Sequence, residues 1–246
     1  MINLLKLKDL GIALTLGCAL SSTAFAGLIA NGGFESGFSN WNRADQLGSE
    51  GTFALQTGAT SPVTGDTVPL PPGAVRAAMT DALGPGSHVL YQDFTVPTAV
   101  AGGLLTFQVF IGNRAGTFFT PSPASLDFST PALNQQARVD ILLGSAGAFS
   151  VLPADVLLNA FQTNPGDPLV SGYTHHTVDV TSLINTHLGT PLTLRVAEAD
   201  NVFTFQLGLD NIDIDVGGAA VPEPSSWVLA CGALLGMGLV RRRMTR

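Results

Sequence analysis

Between residues 27 and 220 the apolar positions fall into short runs, several of them alternating with polar ones. The runs at 52–57, 74–80, 87–96, 103–112, 137–143, 173–180, 192–199 and 203–216 are separated by clusters of Gly, Pro, Asn and Asp, the punctuation expected of antiparallel sheets. Alternation is plainest at Thr106-Phe107-Gln108-Val109 and at Arg138-Val139-Asp140-Ile141, where one side of each strand is apolar. Two segments are predicted as helices: 153–161, with Pro153 suited to a first turn, and 181–188, entered through Thr181 or Ser182 as a cap. Residues 61–73 and 113–136 are long loops. Many short strands joined by long loops predict an all-β domain, an antiparallel β-sandwich over residues 27–220.

Two further apolar runs break this pattern, one at each end. Residues 10–20 follow Lys6 and Lys8 and precede Ala24-Phe25-Ala26. That order predicts a secretory signal peptide over residues 1–26, cleaved at the A-x-A site of Ala24 and Ala26, so that the mature chain begins at Gly27. A lipoprotein signal at Cys18 is the rival; it puts Thr15 where leucine is wanted and leaves a very short apolar core. At the other end, Pro222-Glu223-Pro224 leads into the run 227–240 and then Arg241-Arg242-Arg243. As a helix the run is about 21 Å long, against a hydrocarbon core of about 30 Å. Gly232, Gly236 and Gly238 weaken it further, and the arginines would stay cytoplasmic. An ordinary single-pass anchor, or a core helix followed by a basic tail, are the alternatives.

Hinge, short apolar segment and basic stop, in that order, resemble the PEP-CTERM sorting signal of Gram-negative bacteria, recognised by an exosortase at the inner membrane. Pro222, Glu223 and Pro224 match its signature. The resemblance spans residues 221–246. It implies export through the inner membrane, a membrane-held stage, and delivery to the cell surface or extracellular matrix. An exosortase-type enzyme is then the processing partner, and exopolysaccharide the implied setting.

Setting both ends aside changes the composition. Residues 27–220 hold five arginines and no lysine against thirteen aspartates and three glutamates, 5 − 16 = −11. That sign argues against nucleic acid and anionic lipid as partners and favours cations, calcium among them; acidity also serves simple solubility. Both cysteines, Cys18 and Cys231, lie in the end segments, so the domain between them has no disulfide and no thiolate metal site.

A second resemblance covers most of the domain. Asn31-Gly32-Gly33-Phe34-Glu35, with Trp41 just after, is similar to the opening strand and loop of galactose-binding-like jelly rolls, the fold of many carbohydrate-binding modules. Gln92–Pro97, Leu105–Phe110, Arg138–Leu142, Thr177–Val180 and Leu209–Ile212 follow in the matching order. In that fold a glutamate and an aspartate often hold a structural Ca²⁺ together with backbone carbonyls, and the matching positions are Glu35 and Asp210.

The residues themselves add a separate argument for Asp210. Strand alternation puts Asp210 on the face of Ile212 and Ile214, hence inward, where a carboxylate needs a partner. Calcium is one such partner; loop amides, or an arginine such as Arg195, are the others. The 210–215 run lacks the glycine and distal glutamate of an EF-hand.

Catalytic signatures are missing: no G-x-S-x-G, H-E-x-x-H or glycine-rich phosphate loop occurs. Glu198-x-Asp200 is the nearest thing to a glycosidase carboxylate pair. His175 and His176 are adjacent on a strand and so point to opposite faces, while His88 and His187 stand alone. Trp41 is expected as a core plug, and Phe118-Phe119 is a candidate exposed pair. The expectation is a non-enzymatic envelope or matrix protein that binds exopolysaccharide. A secreted hydrolase and a purely structural surface protein are the alternatives.

Overall fold

The computed structural model describes residues 26–81 and 83–218. The signal segment with Ala24, the sorting triplet Pro222-Glu223-Pro224, the run 227–240 and Arg241-Arg242-Arg243 lie outside the described residues. Within them, no helix is long and apolar enough to cross a membrane.

In chain order the strands are β1 (Ala26–Gly27), β2 (Asn42–Asp45), β3 (Thr52–Thr57), β4 (Arg76–Asp81), β5 (Gly86–Thr95), β6 (Val100–Asn113), β7 (Gln135–Leu143), β8 (Val156–Gln162) and β9 (Thr174–Asp179). The helix α1 (Thr181–Thr186), β10 (Pro191–Asp200) and β11 (Phe205–Gly218) complete the domain. One sheet runs β3-β4-β11-β6-β9, with β1 also paired to β11; the other runs β2-β5-β10-β7-β8. Every pairing is antiparallel. From β4 onward the chain passes back and forth between the sheets, save for the adjacent pair β7 and β8 in the second, the winding of a jelly roll.

Alternation sorts the side chains as the sequence predicts. Phe107, Val109 and Ile111 of β6 meet Leu90 of β5, Val139 and Ile141 of β7, and Leu192, Leu194 and Val196 of β10 in one core between the sheets. The odd-numbered positions of β10 face the other way, yet from Thr193 onward they too are buried. Val89, Ala197 and Ala199 are covered by Leu126 and by Phe149 and Val151 of the 144–155 loop. The outer face of the second sheet is therefore roofed by loops.

The eight predicted strands are present, most of them shifted by one to three residues at their ends. The helix expected over 153–161 is not formed. Asp155 and Val156 both donate to the Leu152 carbonyl, making a single turn, and the chain then runs as β8 against β7. Without β8 the exposed side of β7 would keep its amides and carbonyls unpaired, and that edge outweighs local helix preference. The second helix forms as α1, but not through the expected cap. The Thr181 hydroxyl accepts from the Gly103 amide, while Asp179 Oδ1 takes the Thr181 amide at 2.8 Å.

Candidate functional site

Asp210 and Glu35 are brought into one neighbourhood, by a route the strand pattern did not foresee. Leu207 and Leu209 face the core, and so do Ile212 and Ile214. A two-residue strand period cannot put both pairs on one side. The β11–β6 register shifts between Asp210 and Asp213, and Asn211 sits there at φ 48°: a bulge that resets the phase. Asp210 thus lies on the outer face of the first sheet, not on the isoleucine face. It is nonetheless fully buried, because the chain around Gly73 passes over it and donates an amide to Oδ2 at 2.9 Å, while Asn211 N donates to Oδ1 at 2.7 Å. The loop-amide partners considered for Asp210 are in place. Arg195 is on the other sheet.

Glu35 comes from the turn-rich segment after β1. Its Oε1 accepts from the amides of Val75 and Arg76 at 2.9 and 3.0 Å, and these bonds hold its carboxyl below the usual range. Burial raises Asp210, and the charge of Glu35 raises it further. The two carboxylates thus approach each other, Glu35 from a loop and Asp210 from β11, and Asn31 and Phe34, between β1 and Glu35, are held at positive φ. Hard oxygen donors of this kind suit Ca²⁺. Among the described residues no three acidic, histidine or cysteine side chains converge on a metal position, so an ion here would need carbonyls and water to complete its shell.

Gly32 lets the segment dock. A Cβ there would lie 1.8 Å from the Ile212 carbonyl oxygen, and the Gly32 carbonyl accepts the Ile212 amide at 3.1 Å. Gly32→Ala is expected to cost at least about 2 kcal/mol in urea denaturation, because backbone must move. A loss within 0.5 kcal/mol, about the size of an ordinary surface change, would show that the contact is slack.

Glu198 and Asp200 share the inner face of β10 with Val196. Glu198 is directly opposite His88 of β5 and is 1 % exposed, as is His88. His88 does not stand alone: its Nδ1 is 2.7 Å from Asp45 Oδ1. Glu198 Oε1 and His88 Nε2 are both buried without a hydrogen-bond partner. Burial, then the Asp200 charge, pushes Glu198 well above the carboxylate range. Asp200, which accepts the Gly86 amide at 2.8 Å, is raised to about 7, chiefly by burial.

Asp200 also forms part of a cleft of about 220 Å³ between residues 83–85 and 200–204. Leu83 and Phe203 stand at this cleft and are 79 % and 60 % exposed. Phe203 is the exposed aromatic that strand patterning did not single out, since it was assigned to a strand rather than to the β10–β11 loop. Phe118 is instead fully buried and packs on Phe205. Trp41 is the core plug expected, 7 % exposed, its Nε1 donating to the Asn31 carbonyl. His176 stacks on Phe107 with ring centroids 5.1 Å apart, and His187 meets the Leu183 carbonyl.

Comparison with solved structures finds a likeness to proteins of distant sequence. The TmCBM61 module in complex with beta-1,4-galactotriose is 11 % identical, with a TM-score of 0.44; 78 % of this chain and 99 % of that one align. The K3 cleaved adhesin domain of Lys-gingipain from Porphyromonas gingivalis W83 is 15 % identical at TM-score 0.47, covering 79 % and 100 %. A cyclase from Fischerella sp. TAU is 18 % identical at 0.46, covering 80 % and 100 %. A comparison with curated protein sequences gave no match. Residues 220–243 match the PEP-CTERM protein-sorting motif, so this chain carries the signal for export and exosortase processing at its C-terminal end.

Proposed function

We propose that the protein is a non-enzymatic component of the cell envelope or extracellular matrix, released through its sorting tail, whose sandwich binds exopolysaccharide. The observation that carries this reading is the sorting motif at 220–243 joined to a jelly-roll sandwich. The cleft at Phe203 offers one element of sugar recognition, an exposed aromatic face for the apolar side of a pyranose. Burial of Glu198 supports the non-enzymatic reading, because a glycosidase pair has to face the scissile bond. Glycan-array binding with the purified mature domain tests it. Phe203→Ala is expected to weaken the best-bound glycan about tenfold, or about 1.4 kcal/mol. No glycan bound above background would leave the purely structural reading.

Calcium belongs to the same proposal. Glu35 and Asp210 would be its side-chain ligands, and its charge would offset the burial, and then the Glu35 repulsion, that raise Asp210. Added calcium is expected to raise the thermal midpoint by about 2–4 °C, the shift that about 1 kcal/mol gives a domain of this size, and chelator to reverse it. Equal midpoints in calcium and in chelator would remove the ion from the account.

A further inference from the structure

The sequence places the first residue of the exported chain at Gly27, and the fold places that residue against a carboxylate. A Cβ built on Gly27 would lie 2.1 Å from Asp213 Oδ2 and 2.5 Å from Oδ1. An ideal Cβ is about 2.5 Å from its own nitrogen, so the Gly27 nitrogen lies within about 4.6 Å of Asp213 Oδ2. The carboxylate is held there. Oδ1 accepts the amides of Ile29 and Ile214 at 3.2 and 2.8 Å, and β1 is registered on β11 with Gly27 opposite Asp215.

The surrounding charge is all of one sign. Asp215 shares the strand, and Asp179 shares a cleft with Asp215 across β6. None of the three has an ion-pair partner among the described residues. The five arginines of the domain are engaged elsewhere. Arg43 lies over Phe38, Arg76 donates to the Glu35 carbonyl, Arg114 pairs with Asp66, and Arg138 and Arg195 both pair with Asp140. Residues 27–220 contain no lysine.

We propose that Asp213 is the acceptor for the α-ammonium group that leader removal creates at Gly27, a charge contact that holds Gly27 on β11 once the Ala26–Val216 pairing has left with the leader. While the leader is attached, residue 27 offers an uncharged amide. Hydrolysis of the 26–27 peptide bond gives a carboxylate on the departing leader and an amine on the domain. That amine takes up a proton from water and sits beside Asp213. Burial and Asp215 raise the Asp213 carboxyl, a cost that an adjacent cation offsets.

The absence of lysine makes the test clean, because the α-amine is the one primary amine of the mature domain. In the secreted protein its titration can be followed by the pH dependence of acylation, read by mass spectrometry. An ordinary α-amine titrates at about 7.7–8.0. Here it is expected at least about one unit higher, and Asp213→Asn, which keeps an acceptor for Ile29 and Ile214, should return it to the ordinary range. A pair of modifications needs no variant. Acetylation removes the charge and should lower the thermal midpoint by about 2–4 °C, whereas reductive dimethylation keeps the charge and should leave it unchanged. An amine titrating near 8 in the unaltered protein, equal midpoints for the two modified forms, or a secreted chain beginning elsewhere than Gly27 would each overturn the proposal.

Discussion

Asp140→Ala is expected to cost about 3–5 kcal/mol in urea denaturation, the range for removing one partner of a buried ion pair. Asp140 is fully buried on β7. Its Oδ2 accepts from Arg138 Nε at 2.7 Å and from Nε and Nη2 of Arg195; its Oδ1 accepts from Arg138 Nη2 and Asn159 Nδ2, each at 2.8 Å. Alanine would leave two guanidinium groups with no counter-charge under the 144–155 loop. The damage should spread to that loop, because Arg195 Nη1 also donates to the carbonyls of Ala148 and Ser150, and faster amide exchange over 144–155 would report it. Replacing Asp140 and Arg195 together by leucine and methionine should recover part of the loss, since one stranded guanidinium, that of Arg138, then remains instead of two. If Asp140→Ala costs less than about 1 kcal/mol, the range of an exposed pair, the cluster contributes nothing as a buried one.

Stability should fall as pH rises from about 4 to 8. The sign follows from the acid pair on β10. Asp200 titrates at about 7 in the fold against 3.8 for the ordinary group. Through that window the folded state therefore keeps a proton that the unfolded chain has released, and stability declines with pH. A displacement from 3.8 to about 7 corresponds to roughly 4 kcal/mol. Glu198, raised well above its ordinary value, acts with the same sign and extends the decline upward. His176, lowered by burial, opposes it near pH 6.5, but it is only half-buried and weaker. Urea midpoints measured from pH 5 to pH 8 should drop in the native protein and flatten in Asp200→Asn. The same midpoints rising over that interval would mean that the pair is solvated.

Much of the sandwich was legible because a half-buried strand writes itself as alternation. β6 and β7 each show it over consecutive residues, and both lie where it places them. What failed did so for reasons outside the local pattern. β8 has leucines and an alanine that suit a helix, and only the open edge of β7 makes it a strand. Asp210 was correctly expected to be buried, but on the wrong face, since one bulge residue at Asn211 inverts the parity of everything before it. The partner of Arg195 is Asp140, which shares its face across a register that no single sequence reveals. Phe203 was hidden by its neighbours: a phenylalanine among apolar residues is indistinguishable from core until the turn that exposes it is seen. Glu35 was found by resemblance, and its geometry, two amides on one oxygen, was not predictable from the loop sequence.

The placement of β11 has a mechanical consequence. The chain leaves the domain toward its sorting tail from the end of this strand, which is central in its sheet and paired to β6 along most of its length. A pull on the tail is therefore borne in shear by many backbone hydrogen bonds at once, rather than peeled from an edge one bond at a time. The entering strand, Ala26 opposite Val216, lies beside the same exit. A domain held at both ends would be loaded there as a zipper; one held by its tail alone would be loaded along β11.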